Sequence, residues 1–286
     1  MRRPGGIAGR PVRRPRRLPA RRRPTGLVAG LAGLVAGLPL WLTYLFLYTP
    51  VVVLVAMSFN RSESPYQWGG FGTGWYGTLA RDDEVLRGLA NTLIVAAGAT
   101  VLSTVLGTLL AVGLARHANR SRLLHALSVM PAVLPDIVLA IGLLAFYSMV
   151  SATLGLHSVL LAHTVFGLAF VTAVVRTRIA HGDPSLEEAS RDLGAGEVST
   201  FLRVTLPGLA PGIVAGALLV FTLSLDEFVI AFFTAGPQDP TLPIVVYSMI
   251  RFGVTPEINA LATVLLTVSF TVVIAAQRIS RLAEAS

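Results

Sequence analysis

Several residue types that carry chemistry in other proteins are missing from this chain. There is no cysteine among the 286 residues, which excludes disulfides, thiolate metal sites and cysteine nucleophiles. Lysine is absent as well, because all 23 residues in the Lys+Arg total are arginine. A phosphate-binding P-loop and a Schiff-base enzyme both require a lysine, so neither is possible here. If this protein uses ATP, another chain must hydrolyse it.

Charged residues are scarce and unevenly placed. They make up 13% of the chain and hydrophobic residues 53%, whereas a soluble domain carries roughly 25% charged residues. This composition indicates an integral membrane protein. Ten arginines lie in the first 23 residues, so the net charge of +8 belongs to that segment. Residues 1–26 are predicted to be a disordered cytoplasmic tail that contacts anionic lipid; nucleic-acid binding and a twin-arginine export signal are the alternative interpretations.

The remainder of the chain, residues 27–286, is predicted to be an all-α membrane domain with six transmembrane helices. Each apolar stretch is long enough to span a bilayer, which takes about 20 residues, and the stretches cover residues 30–58, 89–115, 123–150, 158–175, 208–235 and 258–276. With the N-terminus inside, 19 arginines fall in cytoplasmic segments and four outside. This bias predicts that both termini are cytoplasmic. Residues 242–252 are apolar but too short to span, which predicts an interfacial or re-entrant helix.

Three acidic residues fall inside the predicted spans, namely Asp136, Asp226 and Glu227. A carboxylate at the bilayer centre costs about 2.5–3.5 kcal/mol on insertion scales, and such groups face a bundle interior or a water-filled cavity. No arginine lies within a predicted span to pair with them, which favours a cationic solute. Pro131 and Pro135 are predicted to break the third span beside Asp136.

Two more residues complete the predicted substrate pathway. Ser224 could accept hydrogen bonds from an extended polycation, and Trp75 could offer its ring for a cation–π contact. The alternative interpretations are structural: Asp136 caps a helix after the proline, and Asp226 and Glu227 form a hydrogen-bonded cluster against a partner subunit. The histidines are interpreted as structural, because no clustered ligand set indicates a metal site.

The polar segment between the fourth and fifth spans is patterned for helix. Asp183 followed by Pro184 is typical of a helix start, and Gly194 is typical of a helix end. A second short helix is predicted over residues 197–204, before the next span. The segment therefore predicts two short helices lying on the cytoplasmic face.

The same segment, residues 181–207, carries a motif. Glu188-Ala189-Ser190 is followed by three residues, then Gly194, nine residues, and Val204-Thr205-Leu206-Pro207. This resembles the EAA motif of bacterial ABC-importer permeases, which reads E-A-A, three residues, G, nine residues, I-x-L-P. Ser190 replaces the second alanine and Val204 replaces the isoleucine. Residues 222–266 resemble most the second permease subunit of spermidine/putrescine importers.

The resemblance implies a type I ABC-importer permease fold, a bacterial inner-membrane location and a non-catalytic role. In that family the EAA loop is the coupling helix, which docks in a cleft of the ATPase subunit. The residues that the resemblance implies for coupling are Glu188, Ala189, Ser190, Arg191, Gly194, Glu197, Leu206 and Pro207. The implied partners are two ATPase subunits that use ATP and magnesium, a second homologous permease, an external substrate-binding protein and membrane lipids. The chain itself is expected to bind no cofactor and no nucleic acid.

The predicted function is polyamine import by alternating access, with spermidine or putrescine as the solute. The same machine could carry ferric iron, phosphonate, sulfate or molybdate, although intramembrane acids without arginine partners argue against anions. A stand-alone transporter, in which Asp136 and Asp226 relay protons, is a second alternative, but it leaves the EAA loop without a role. A membrane-embedded hydrolase is the third, and the chain lacks a catalytic constellation for it.

Overall fold

The computed structural model describes residues 27–64, 67–116, 122–251, 253 and 255–285. The predicted tail, residues 1–26, lies outside them. The helices are α1 (Leu27–Met57), α2 (Gly74–Leu79), α3 (Asp83–Arg116), α4 (Arg122–Val133), α5 (Asp136–Met149), α6 (Leu156–Ala180), α7 (Ser185–Asp192), α8 (Glu197–Thr200), a π-helix (Phe201–Thr205), α9 (Leu206–Asp226), α10 (Val229–Thr234), α11 (Leu242–Arg251) and α12 (Pro256–Ala285). These residues contain no strand beyond an isolated bridge between Asn60 and Phe71. The all-α prediction is confirmed.

The chain divides after Val53 into two units. The described part of the first unit is the stretch of α1 from Leu27 to Val53. Its large apolar side chains, such as Trp41 and Phe46, are exposed. Thr43 donates its hydroxyl to the carbonyl of Pro39 one turn earlier. This helix therefore satisfies its own polar groups and presents an apolar surface, as a membrane-spanning helix must.

The second unit is built on three long helices, because α3 packs against α6 and α9, and α6 packs against α9. Small residues bring these helices close together. A Cβ placed on Gly167 would lie 2.6 Å from Val220 Cγ1 and 2.7 Å from Ser103 Oγ. Ser103 Oγ also donates to the Thr164 carbonyl at 3.1 Å. Close backbone approach with interhelical hydrogen bonds is the usual way in which helices associate in lipid.

The predicted third span consists of two helices that are bent by 112°. Pro135 has φ −55° and ψ 135°, an extended conformation that ends the helix before it, and α5 begins at Asp136. Pro131 lies within α4, so the prediction that it breaks the span was wrong and Pro135 alone marks the break. Proline at position 131 is tolerated inside the helix.

The predicted fifth span is also interrupted. Helix α9 ends at Asp226, and Glu227 takes an extended ψ of 101° before α10 begins at Val229. The prediction of one continuous helix over residues 208–235 therefore differs from the structure. No proline or glycine lies at this break, so the sequence pattern gave no signal for it.

The number of spans depends on how the bent pair is counted. Four helices within the described residues are long and apolar enough to cross a membrane, and the α4–α5 pair makes five if it is one span. The sixth predicted span lies in α12, which is 30 residues long. The apolar stretch that the structure describes there, Pro256–Thr271, is shorter than the 18 residues that count as a span. The six-span count and the orientation of the termini stay predictions.

Helix α11 packs onto the start of α3, on the predicted outer side. Leu242 and Val245 of α11 join Val85 of α3 in a buried cluster. Thr92 Oγ1 accepts the N–H of Leu242 at 2.7 Å, and Asn91 donates to the Pro240 carbonyl at 3.0 Å. These contacts hold the segment between α10 and α11 on the bundle.

Candidate functional site

The two helix breaks bring the three predicted acids together. Asp136 lies in the first turn of α5, Asp226 ends α9, and Glu227 occupies the break between α9 and α10. Helices α5 and α10 pack against each other, and Glu227 interacts electrostatically with both Asp136 and Asp226. We call these three residues the acidic cluster. In the described part of the chain, no ion pair with a basic side chain involves any of them.

The members of the acidic cluster differ in exposure and bonding. Asp136 and Asp226 are exposed, whereas Glu227 is half-buried. Glu227 Oε1 accepts the N–H of Ile230 at 3.0 Å, at the start of α10. Glu227 therefore has a structural role as a helix cap, and the two aspartates are the members available to a solute.

Ser224 lies one turn before the break in α9, and it is buried. Its Oγ is 2.7 Å from Nδ1 of His163 on α6, and the side chains are 4% and 2% exposed. The Nε2 atom of His163 has no hydrogen-bond partner among the described residues. The structure thus places Ser224 in a buried pair between two helices, away from the open surface that carries the aspartates.

Trp75, the last residue of the predicted pathway, lies in α2. Its Nε1 donates to the Asn60 carbonyl at 2.8 Å, and the Asn60 carboxamide in turn accepts the N–H of Gly69 at 2.8 Å. The Trp75 indole is half-buried. Its observed hydrogen bond is to the segment between α1 and α2, and within the described residues none joins it to the acidic cluster.

The predicted coupling segment forms a compact elbow, defined here as α7, α8 and the π-helix (residues 185–205). Asp183 Oδ1 accepts the N–H of Ser185 at 2.9 Å, which caps α7. Hydrogen bonds from the side chain and N–H of Ser185 lower the pKa of Asp183. Gly194 has a φ of +85°, the left-handed conformation that glycine adopts without strain and that ends a helix.

The motif residues lie within this elbow or directly after it. Ser190 Oγ is 3.0 Å from Thr200 Oγ1, a bond that joins α7 to α8. Leu206 and Pro207 begin α9, directly after the π-helix. The remaining motif residues are exposed: Glu188, Ala189, Arg191, Gly194 and Glu197.

The elbow also presents apolar side chains that sequence analysis did not single out. Leu193 is 89% exposed and Val198 is 73% exposed. Leu193 directly precedes Gly194, and Val198 follows it by four residues. The leucine next to the helix-ending glycine could have indicated this apolar surface in the sequence. An exposed leucine and valine on a polar elbow are suited to burial against another protein.

A cavity of about 420 Å³ lies between the elbow and the nearest ends of α3, α6 and α9. Ionisable side chains on its walls come from α3, α6, the α6–α7 loop and the elbow: Arg116, Arg178, His181, Asp183 and Glu187. Arg178 Nε donates to the Gly208 carbonyl at 3.1 Å, which joins α6 to α9 beside the cavity. The elbow is therefore not packed tightly onto the bundle.

The described residues contain no group of three or more His, Asp or Glu side chains that could hold a metal ion. The ionisable side chains of the acidic cluster are all carboxylates.

Comparison with known proteins gives a family match over residues 103–284, to the family described as "Binding-protein-dependent transport system inner membrane component". The chain is 39% identical over 239 residues to the spermidine/putrescine transport system permease protein PotC of Escherichia coli strain K12, which covers 83% of this chain and 90% of that protein. It is 42% identical over 236 residues to the putrescine transport system permease protein PotI of the same strain, covering 79% of this chain and 84% of that protein.

Among solved structures, the chain resembles one from a bacterial ABC transporter involved in the import of the acidic polysaccharide alginate. The TM-score is 0.67 at 16% identity, and the match covers 90% of this chain and 99% of that one. At this level of identity the likeness concerns the fold. The broken helices and the elbow described above therefore occur within a known membrane architecture.

Proposed function

Because this chain belongs to the family of binding-protein-dependent transport system inner membrane components, we propose that it is the permease subunit of an ATP-driven importer of polyamines. It is a multi-pass protein of the inner membrane. The observation that carries the polyamine assignment is the identity of 39% to PotC and 42% to PotI over most of the chain. The acidic cluster supports it, since unpaired carboxylates attract a polycation.

In the proposed mechanism, Asp136 and Asp226 contact the amines of the solute. Two carboxylates at separate helix ends suit a linear polyamine, whose charges repel and spread along the chain. Glu227 contributes charge to the same region while it caps α10 through Ile230. Trp75 offers a ring face to an amine at the outer side. Ser224 takes part only in a state in which its buried pair with His163 opens.

The energy for transport comes, in this proposal, from a separate ATPase. Two ATPase subunits bind ATP and magnesium, and each docks a permease elbow in a cleft, as a helix lies in a groove. In this chain Glu188, Ala189, Ser190, Arg191, Gly194, Glu197, Leu206 and Pro207 form or support that elbow. A second homologous permease completes the pathway, and an external binding protein delivers the solute. ATP binding then changes which side the cavity opens to, and the solute's affinity differs between the two states.

The test is uptake of radiolabelled putrescine in a strain that lacks its own polyamine importers and expresses this chain with its partner subunits. We expect saturable uptake that unlabelled spermidine competes away and that sulfate, phosphonate and ferric iron do not affect. Cells with the vector alone are the control. Uptake at the vector level, or labelled sulfate entering in place of putrescine, would show that the cargo assignment is wrong.

A further inference from the structure

Helix α7 is held to the rest of the protein by polar contacts rather than by packing. None of its side chains is buried, and the cavity of about 420 Å³ lies beneath it. If a partner protein moves α7, that movement can reach the membrane-spanning helices only through contacts between α7 and those helices. The contacts that α7 makes with the elements after it therefore decide whether force is transmitted.

One of these contacts leads directly to the membrane-spanning helix. Thr205 Oγ1 donates to Glu187 Oε1 at 2.6 Å, so a residue of α7 is bonded to the last residue of the π-helix. Glu187 Oε2 is also 3.8 Å from the Arg191 guanidinium one turn later. The bond between Ser190 and Thr200 joins α7 to the same continuous helix, residues 197–226, but six residues before the start of α9.

Thr205 is followed without a break by α9, which runs for 21 residues and ends at Asp226. A helix of that length extends about 30 Å. The same rigid element therefore begins at the Glu187 contact and ends at the acidic cluster. The π-helix between α8 and α9 is an uncommon conformation that is found mostly at functional positions in helices.

We propose that Glu187 and Thr205 are positioning residues that fix α7 to α9, so that movement of the docked elbow is carried to Asp226. This rests on the proposed function, since it presumes an ATPase that moves the elbow. Neither residue needs to touch the ATPase or the solute. Without their hydrogen bond, α7 is joined to that helix only through Ser190 and Thr200 among the described side-chain contacts, and its end nearer Glu187 can tilt into the cavity beneath it.

The first test uses the importer complex in proteoliposomes, with its binding protein, ATP and labelled putrescine. Thr205→Val removes the hydroxyl but keeps the shape of the side chain. Loss of a hydrogen bond to a charged group is expected to lower uptake about tenfold and to abolish the stimulation of ATP hydrolysis by the loaded binding protein, while basal hydrolysis continues. Thr205→Ser should restore both. Glu187→Gln, which keeps an acceptor oxygen, should retain more of both than Glu187→Ala.

Thr177→Val is the matched control, because the hydroxyl of Thr177 bonds only to the Ala173 carbonyl of its own helix. It should leave uptake and stimulation unchanged. If the wild-type complex does not take up putrescine, the proposed function fails. If the wild type transports and Thr205→Val and Glu187→Ala behave like it, the positioning role is refuted.

The second test holds even if a substitution weakens assembly, because it compares one sample with itself. The chain has no cysteine, so Glu187→Cys combined with Thr205→Cys can be joined by a short, reducible bis-thiosulfonate in complexes whose other subunits lack accessible cysteines. We expect uncoupled ATP hydrolysis with free thiols, restored uptake on cross-linking and renewed loss on reduction. Cross-linking that blocks uptake would mean that α7 and α9 must move apart, which contradicts the proposal.

Discussion

At the scale of single residues, the carboxylates at the two helix breaks have different roles. Glu227 is half-buried and its Oε1 accepts a backbone N–H, so its charge is partly committed to holding α10. Asp136 and Asp226 are exposed, and each interacts electrostatically with Glu227. We expect a cation to be bound mainly by these two aspartates.

Substitution of Asp226 by Asn tests this at the residue scale. The change keeps the shape of the side chain but removes its charge, so it should lower putrescine uptake at least about tenfold, the cost of one charge-assisted hydrogen bond. Asp136→Asn should act in the same direction. Asp83→Asn is the control, because Asp83 is an exposed acid at the start of α3. Normal uptake by Asp226→Asn at an equal protein level would remove this residue from the pathway.

Much of the acidic cluster could be predicted from the sequence, because an acid within an apolar run is conspicuous and costly. The location of the second break could not. This break depends on the Glu227 carboxylate, which caps α10 by accepting the N–H of Ile230. No proline or glycine marks it in the sequence. The burial of Ser224 was missed for a related reason, because its partner His163 is 61 positions away in the chain.

At the scale of helices, the fold depends on close contacts between α3, α6 and α9. Gly167 lies where all three meet, since an added Cβ would approach Val220 of α9 and Ser103 of α3. Such a contact cannot be relieved cheaply, because both neighbours are buried. The sequence identified the apolar helices but not which glycine lies at the crossing.

Gly167→Ala should therefore destabilise the protein. Overpacking a helix contact costs about 1–3 kcal/mol, which exceeds the gain of up to about 1 kcal/mol from alanine's helix propensity. Thermal unfolding of the detergent-purified complex measures the effect as a lowered midpoint. Gly142→Ala is the matched control, because a Cβ at Gly142 meets nothing within 4 Å. Equal midpoints for the two variants would refute the close packing of the three helices.

At the scale of the whole molecule, the elbow and the acidic cluster lie at opposite ends of α9. The EAA spacing predicted which residues form the elbow. Gly194 has a φ of +85°, a left-handed conformation that explains why the motif has a glycine there. The hydrogen bond that joins α7 to the base of α9 was beyond sequence analysis, because Glu187 and Thr205 are 18 positions apart on different helices. In the proposed function a partner subunit hydrolyses ATP, and the elbow is the part of this chain that we propose docks to it.

The most direct measurement compares energy sources for putrescine uptake into proteoliposomes that contain the importer complex. With ATP inside and loaded binding protein outside, the wild-type complex should accumulate putrescine, whereas a proton gradient without ATP should drive none. Gly194→Arg, which places a long charged side chain on a residue whose backbone is left-handed, should assemble and hydrolyse ATP but fail to transport. Accumulation on the proton gradient alone, or full transport by Gly194→Arg, would contradict the account.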